Sequence, residues 1–370
     1  MNKKRIYFFV GTTAELIKLA PIIRGFKKRK IKFKFITSGQ TKVLFEDLNG
    51  YIGNIKVDIA FKEKSKKSSV FLFGVWALRT FFTALISLGK EFEGLNKENS
   101  YFIIHGDTVS SLIGALIAKI YGLKLVHVES GLRSFNFLEP FPEEICRYCI
   151  IHIANILFAP TEWALGNLKS LPGEKICTGE NTLIETCWWA IKTGANLGDI
   201  GKSRKYYILT MHRQEHILFR KEWTKDILRY VIKNTNRNLD GILVTHHLTA
   251  SFLQNFNPQK LTESKITVLS RLPYLKFMKL MNKAEFIATD GCTNQEEAYY
   301  MGLPLLALRN RTERIEGLGQ NVVISKDSKK NIRKFIQNYK KFKRKPVTIK
   351  KMPSEIIVDY LLKNRETLHK

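Results

Sequence analysis

An alternation that runs through the chain and then starts again constrains its fold more than any other feature. Apolar runs at 6–10, 33–37, 101–105, 125–129 and 156–159 read as strands, and helical periodicity fills 15–28, 109–120 and 143–154. The pattern restarts with strands at 206–210, 241–245, 266–269, 286–289, 305–307 and 322–324. Helices fit 223–235, 274–281 and 295–301. Strands alternating with helices build a parallel sheet covered on both faces, and a restart implies a second sheet. Size agrees, because 370 residues exceed what one core usually sustains. The chain reads as α/β with two Rossmann-like domains, connected through a loop-rich stretch at 171–205. Ligand is expected in the cleft between the domains, beyond the carboxyl ends of the strands.

The balance of 61 basic against 33 acidic residues gives a formal charge of +28, which favours an anionic partner such as a nucleotide sugar, nucleic acid or a membrane surface. The excess lies in clusters at 27–30, 62–67 and 340–351, which read as solvated surface and helix ends. No nucleic-acid module or interleaved aromatic-basic stripe is present, so nucleic acid is not an expected partner. The five cysteines are odd in number and lack a disulfide spacing, which suits a reducing cytoplasm. Cys146 and Cys149 form a C-x-x-C with no second pair, and no metal is expected. The five-residue run at 6–10 is too short for a signal peptide and reads as the first strand.

Segment 70–88 is almost wholly apolar and follows Lys62, Lys64, Lys66 and Lys67. It is long enough to span a membrane, but Arg79 would cost ~2.5–3.5 kcal/mol near mid-span. The reading is a helix partly in the core, with 62–88 open to peripheral contact with the inner face of the plasma membrane or to a dimer interface.

Chemistry is expected where strands end. After the first strand comes Gly11-Thr12-Thr13-Ala14-Glu15, which fits either a turn capped by threonine or a helix N-terminus facing an anion. His105-Gly106-Asp107-Thr108 and His127-Val128-Glu129-Ser130-Gly131-Leu132-Arg133 put two carboxylates at neighbouring strand ends. Such a pair suits acid/base work, and the alternative is that Asp107 caps the next helix. Pro142 opens a helix that carries Glu143 and Arg147 on one face, as a catalytic pair or a surface ion pair. In the second half, His212-Arg213 follows a strand and could neutralise a departing diphosphate. Asp290-Gly291-Cys292-Thr293-Asn294-Gln295-Glu296-Glu297 joins a strand to a helix whose first-turn amides could hold phosphate.

Together with Pro160-Thr161-Glu162 and Thr312-Glu313-Arg314, these motifs resemble the non-hydrolysing UDP-N-acetylglucosamine 2-epimerases, from Gly11 to about Arg314. The resemblance implies the GT-B arrangement, with an N-terminal domain at 1–172, a nucleotide-binding domain at 173–350, and a helix at 351–370 packing back on the first. It implies that Asp107, Glu129 and Glu143 are acid/base groups, that Arg147 and His212 contact substrate or its diphosphate, and that Glu297 binds ribose. Gly11, Thr12, Lys18, Arg213, Gly291, Cys292, Thr293 and Arg314 are placed against substrate or UDP in the same way. The implied reaction eliminates UDP to give 2-acetamidoglucal and adds it back, in a cytoplasmic homodimer serving surface polysaccharide synthesis. It needs neither NAD nor a metal.

Three stretches depart from the family pattern. Thr13-Ala14 stands where Arg-Pro is usual, Gly291-Cys292-Thr293 where Ser-Gly-Gly is usual, and Gly39-Gln40-Thr41 where a histidine helps form an activating substrate site. Feedback activation is therefore not expected. The competing readings are a membrane-associated glycosyltransferase of the same fold, a hydrolysing epimerase, and a degenerate nucleotide-sugar binder. Retention of all five candidate catalytic residues favours the epimerase.

Overall fold

The computed structural model describes residues 5–366 except 65–69, 138, 202–203, 212, 214–215, 218–219, 246–252 and 254–255. It divides into two compact units, Met1–Thr186 with Ile349–Lys370, and Cys187–Thr348.

In unit 1 the chain runs β1 (Ile6–Val10), α1 (Thr13–Lys28), β2 (Lys34–Thr37), α2 (Asn49–Ile52), β3 (Ile59–Ala60), α3 (Val70–Glu91), β4 (Tyr101–His105) and α4 (Val109–Ile120). It continues through β5 (Lys124–Val128), α5 (Glu143–Ile153), β6 (Ile156–Ala159), α6 (Glu162–Gly166), β7 (Glu174–Cys177) and α7 (Leu183–Thr193), the last of which crosses into unit 2. The seven strands pair in the order β3-β2-β1-β4-β5-β6-β7. Every pair is parallel. Strand β1, Ile-Tyr-Phe-Phe-Val, is buried at each position, as a central strand covered on both faces must be. The order reverses between β1 and β4, so the turns after these two strands border the switch point where such sheets bind ligands.

Helix α1 contains Pro21, which cannot donate to the carbonyl of Ile17. The Thr186 hydroxyl donates to that carbonyl instead, at 2.8 Å. Stretch 171–205, expected to be mostly loop, carries β7 and α7. The apolar segment forms α3, and Trp76, Thr80, Ala84 and Leu88 turn inward while Phe71, Leu78, Phe82 and Ile86 stay exposed. By length and composition α3 could cross a membrane. Its inner stripe belongs instead to the core beneath the sheet, where burying Leu88 alone contributes ~1.5–3 kcal/mol.

Unit 2 runs β8 (Tyr206–Thr210), α8 (Lys221–Asn234), β9 (Asp240–Val244), β10 (Ile266–Leu269), α9 (Tyr274–Lys283), β11 (Ile287–Thr289), α10 (Cys292–Met301), β12 (Leu305–Ala307), β13 (Val322–Ile324) and α11 (Lys329–Asn338). Its six parallel strands lie in the order β10-β9-β8-β11-β12-β13, with the reversal between β8 and β11. Helix α11 buries Ile332, Phe335 and Ile336, and the lysines at 340, 341, 343, 345, 350 and 351 beyond it are exposed. The chain ends in α12 (Pro353–Glu366), which packs on α1 in unit 1 through Ile357, Val358 and Leu361 and a 2.5 Å ion pair between Arg29 and Asp359.

Candidate active site

The turn after β4 is built so that Asp107 keeps its carboxylate. Thr108, not Asp107, caps α4, its hydroxyl accepting the Ser111 N–H at 3.0 Å. Asp107 is left to receive the guanidinium of Arg147, which reaches it from α5. Arg147 is itself only 2% exposed and also donates to Glu144, its neighbour one turn back. Glu144 in turn accepts from Arg133 at 2.5 Å and from the Ser134 N–H at 3.1 Å. Burial pulls the Glu144 carboxyl up, but Arg133, Ser134 and Arg147 together hold it below the usual carboxylate range. Glu143 sits half-buried beside it in the first turn of α5. Beneath the turn, buried His127 donates from Nε2 to the Gly106 carbonyl at 2.7 Å while Nδ1 accepts from the Ser130 hydroxyl at 2.5 Å. Burial lowers its pKa to about 4, so it braces the turn as a neutral ring.

Glu129 lies one residue past β5, because that strand is Lys124–Val128 and not 125–129. Its φ of 68° is in the left-handed region, which strains a residue with a side chain and often marks a functional position. The bend aims its carboxylate at the neighbouring turn, where a Cβ added to Gly106 would lie 3.6 Å from Oε1. Lys18 of α1 pairs with Glu129 at 2.5 Å, both side chains being almost wholly buried. The Asn181 amide also donates to it, and His105 Nε2 lies 3.8 Å away. Asn181 was missed in the sequence because it falls in the stretch read as connector. Its signal was present as Asn181-Thr182 ahead of a helix, and Asn181 Oδ1 does accept the Leu183 N–H at 3.1 Å.

The first turn answers to its own neighbours. Thr12 caps α1, accepting the Glu15 N–H at 3.2 Å. The space a side chain would need at Gly11 is taken by the hydroxyls of Ser110 and Ser38. Thr13, in place of the family's arginine, accepts the Leu44 N–H at 3.0 Å. Gln40 accepts the Ser110 N–H at 2.9 Å.

In unit 2 the equivalent switch point is lined by cations at a helix end. His212 lies outside the described residues. Arg213, just after β8, donates its N–H to Asp290 at 3.1 Å and its guanidinium to Cys292 Sγ at 2.6 Å. Gly291 is the N-cap of α10 and Cys292 its first residue, so phosphate-seeking amides and Arg213 meet at one point. Arg309, buried just past β12, also reaches Cys292 at 2.8 Å, and the thiol donates to Glu313 at 2.6 Å. Burial pushes that thiol up against the pull of both arginines, so it is neutral. Thr293 is half-buried beside it. Buried Glu297 accepts from Asn294 at 2.9 Å, and Arg314 pairs with Glu296 at 2.8 Å. Among the described residues no cluster of His, Cys, Asp and Glu is arranged to hold a metal ion.

Comparison with known proteins bears on the family and the fold. Residues 83–355 match the family model described as UDP-N-acetylglucosamine 2-epimerase. The UDP-N-acetylglucosamine 2-epimerase of Methanocaldococcus jannaschii is 30% identical, over 89% of this chain and 90% of the relative. The M. jannaschii structure in complex with UDP-GlcNAc and UDP superposes with a TM-score of 0.79 at 27% identity, covering 97% of this chain and 99% of that one. The Neisseria meningitidis UDP-GlcNAc 2-epimerase bound to UDP-GlcNAc gives 0.78 at 27% identity, over 98% and 100%.

Proposed function

Because the chain belongs to the UDP-N-acetylglucosamine 2-epimerase family, we propose that it interconverts UDP-N-acetylglucosamine and UDP-N-acetylmannosamine. The observation that carries this reading is the pair of carboxylates on adjacent strand ends, Asp107 held by Arg147 and Glu129 held by Lys18. A weakly acidic C2 proton needs a base on one face of the sugar and a proton donor on the other. Asp107, Glu129 and Glu143 supply three carboxyls for that exchange, and Arg147 fixes the first of them. Elimination removes the C2 proton while the C1–O bond electrons leave with UDP. Re-addition reverses both steps on 2-acetamidoglucal with the proton on the opposite face. The sequence is redox-neutral and calls for no cofactor.

Unit 2 supplies the nucleotide handle. The amides of Gly291, Cys292 and Thr293 with Arg213 and His212 take the diphosphate, and developing charge there is stabilised as the C1–O bond breaks. Glu297 accepts from the ribose hydroxyls. Gly11, Thr12, Lys18 and Arg314 complete the substrate contacts, Lys18 acting through its hold on Glu129.

Incubation with UDP-N-acetylglucosamine in heavy water tests the proposal by NMR. Deuterium at C2 with the UDP linkage retained is the expected result. Free N-acetylmannosamine with UDP would make the enzyme a hydrolysing epimerase, and sugar transfer without C2 exchange would overturn the reading. The proposal extends to a cytoplasmic homodimer whose α3 stripe, beside Lys62 and Lys64, meets the inner membrane face. Sedimentation with and without anionic vesicles checks both, a monomer contradicting the first and absence of vesicle binding at low salt the second.

A further inference from the structure

Glu15 opens α1 at the third helical position, and its N–H bonds to the cap residue Thr12. Helix capping alone would leave such a carboxyl near the surface with its bond returned to the cap. Here it is 3% exposed and bonds beyond the cap as well. Oε2 accepts the Gly11 N–H and Oε1 accepts the Thr108 hydroxyl, each at 2.7 Å. Those donors belong to the turns after β1 and β4, the two strands that flank the switch point.

We infer that Glu15 is a positioning residue for Asp107, tying the turn that carries this acid/base group to the N-terminus of α1 and setting the charge beside it. The inference rests on the reading of Asp107 given above. Among the described residues no cation pairs with Glu15. Lys18 on the same helix is committed to Glu129, and Arg147 from α5 to Asp107 and Glu144. From the β2 side, Ser38 and Gln40 bring only neutral groups to this turn. The like charge of Asp107 acts on Glu15 and favours its protonated form.

Burial first, and Asp107 last, raise the Glu15 pKa to about 7 against the pull of Gly11, Thr108 and Thr12. Near neutrality both forms are populated. Ionised, Glu15 accepts from Gly11 and Thr108. Protonated on Oε1, it donates to the Thr108 oxygen, and the Thr108 O–H turns to Ser111 Oγ, 3.1 Å away. Repulsion is reciprocal, so an ionised Glu15 makes Asp107 a stronger base.

Glu15→Gln keeps the shape and removes the charge. The expected result is a fall in kcat of about tenfold with KM changed less than about threefold, and an acidic limb of the kcat–pH profile moved to lower pH. Glu15→Asp should recover part of the loss, and Thr108→Val, which removes a bond that holds the Glu15 pKa down, should lower kcat and move the limb to higher pH. A folded Glu15→Gln enzyme with wild-type kcat and pH profile overturns the inference, and so does equal loss in both parameters with an unmoved limb. If Glu15→Gln does not fold, Thr108→Val decides, wild-type kcat there being the overturning result. Asp107→Asn separates the two levels. Retained activity in Asp107→Asn sinks the acid/base reading itself, whereas an inactive Asp107→Asn beside an unaffected Glu15→Gln sinks only this inference.

Discussion

The two switch points are built from the same topology and opposite charge. In unit 1 the groups at the strand ends are carboxylates, and buried cations hold them, with Arg147 on Asp107 and Lys18 on Glu129. In unit 2 the groups are guanidiniums and helix amides, and Arg213 is restrained by Asp290, Cys292 and Glu313. A base must be aimed and its proton affinity set, which takes a close charged partner. The proposed diphosphate handle keeps two arginines beside a thiol that burial holds neutral. Under the proposed roles the difference divides proton chemistry from nucleotide binding, and variants in each unit should fail in different ways.

The largest effect belongs to unit 1. Asp107→Asn or Glu129→Gln should lower kcat by about a hundredfold or more while UDP affinity by calorimetry stays near wild type. Near-normal turnover in both would erase the contrast. In unit 2, Glu297→Ala should weaken UDP binding by about tenfold, or ~1.4 kcal/mol, with a smaller loss in kcat, because the proposed ribose contact would be made in ground and transition states alike.

A third effect appears in stability. The unfolded Glu15 carboxyl titrates at ~4.3, whereas the folded one is raised to about 7. Folded protein therefore binds this proton more tightly, and the stabilisation it gives is full below pH ~4.3 and is lost as pH rises through about 7. Between pH 5 and 8 the Tm of wild type should fall by a few degrees more than that of Glu15→Gln. No difference between the two curves would place the carboxyl in water. Smallest of all, Cys292→Ser should change UDP affinity less than about threefold, since a hydroxyl can also donate to Glu313 and accept from Arg213 and Arg309. A larger change would mean that the sulfur itself matters to the handle.

What the sequence disclosed follows the same division. Central strands were legible because a strand buried on both faces is a continuous apolar run, as β1 and β4 are. Strand β7 was not, because Glu-Lys-Ile-Cys is an edge strand paired only with β6 and never fully buried. Helix α11 hid among basic residues just ahead of the 340–351 cluster, since only Ile332, Phe335 and Ile336 mark its inner face. At the site, Asp107, Glu129, Glu143 and Arg147 could be named from position after strands and from family motifs. Which side chains hold which could not. Glu144, Asn181 and the Glu15–Thr108 bond depend on side chains brought together across 10 to 93 positions, a separation that no local pattern encodes.

The closing helix α12 has a consequence for how the molecule comes into being. Unit 1 is discontinuous in sequence, and its last segment begins at Ile349, after all of unit 2 has been made. A nascent chain can finish unit 2 while the apolar surface of α1 that receives Ile357, Val358 and Leu361 is still bare. Unit 1 therefore closes only after unit 2 has been translated, because Met1–Thr186 lacks the segment that follows Thr348.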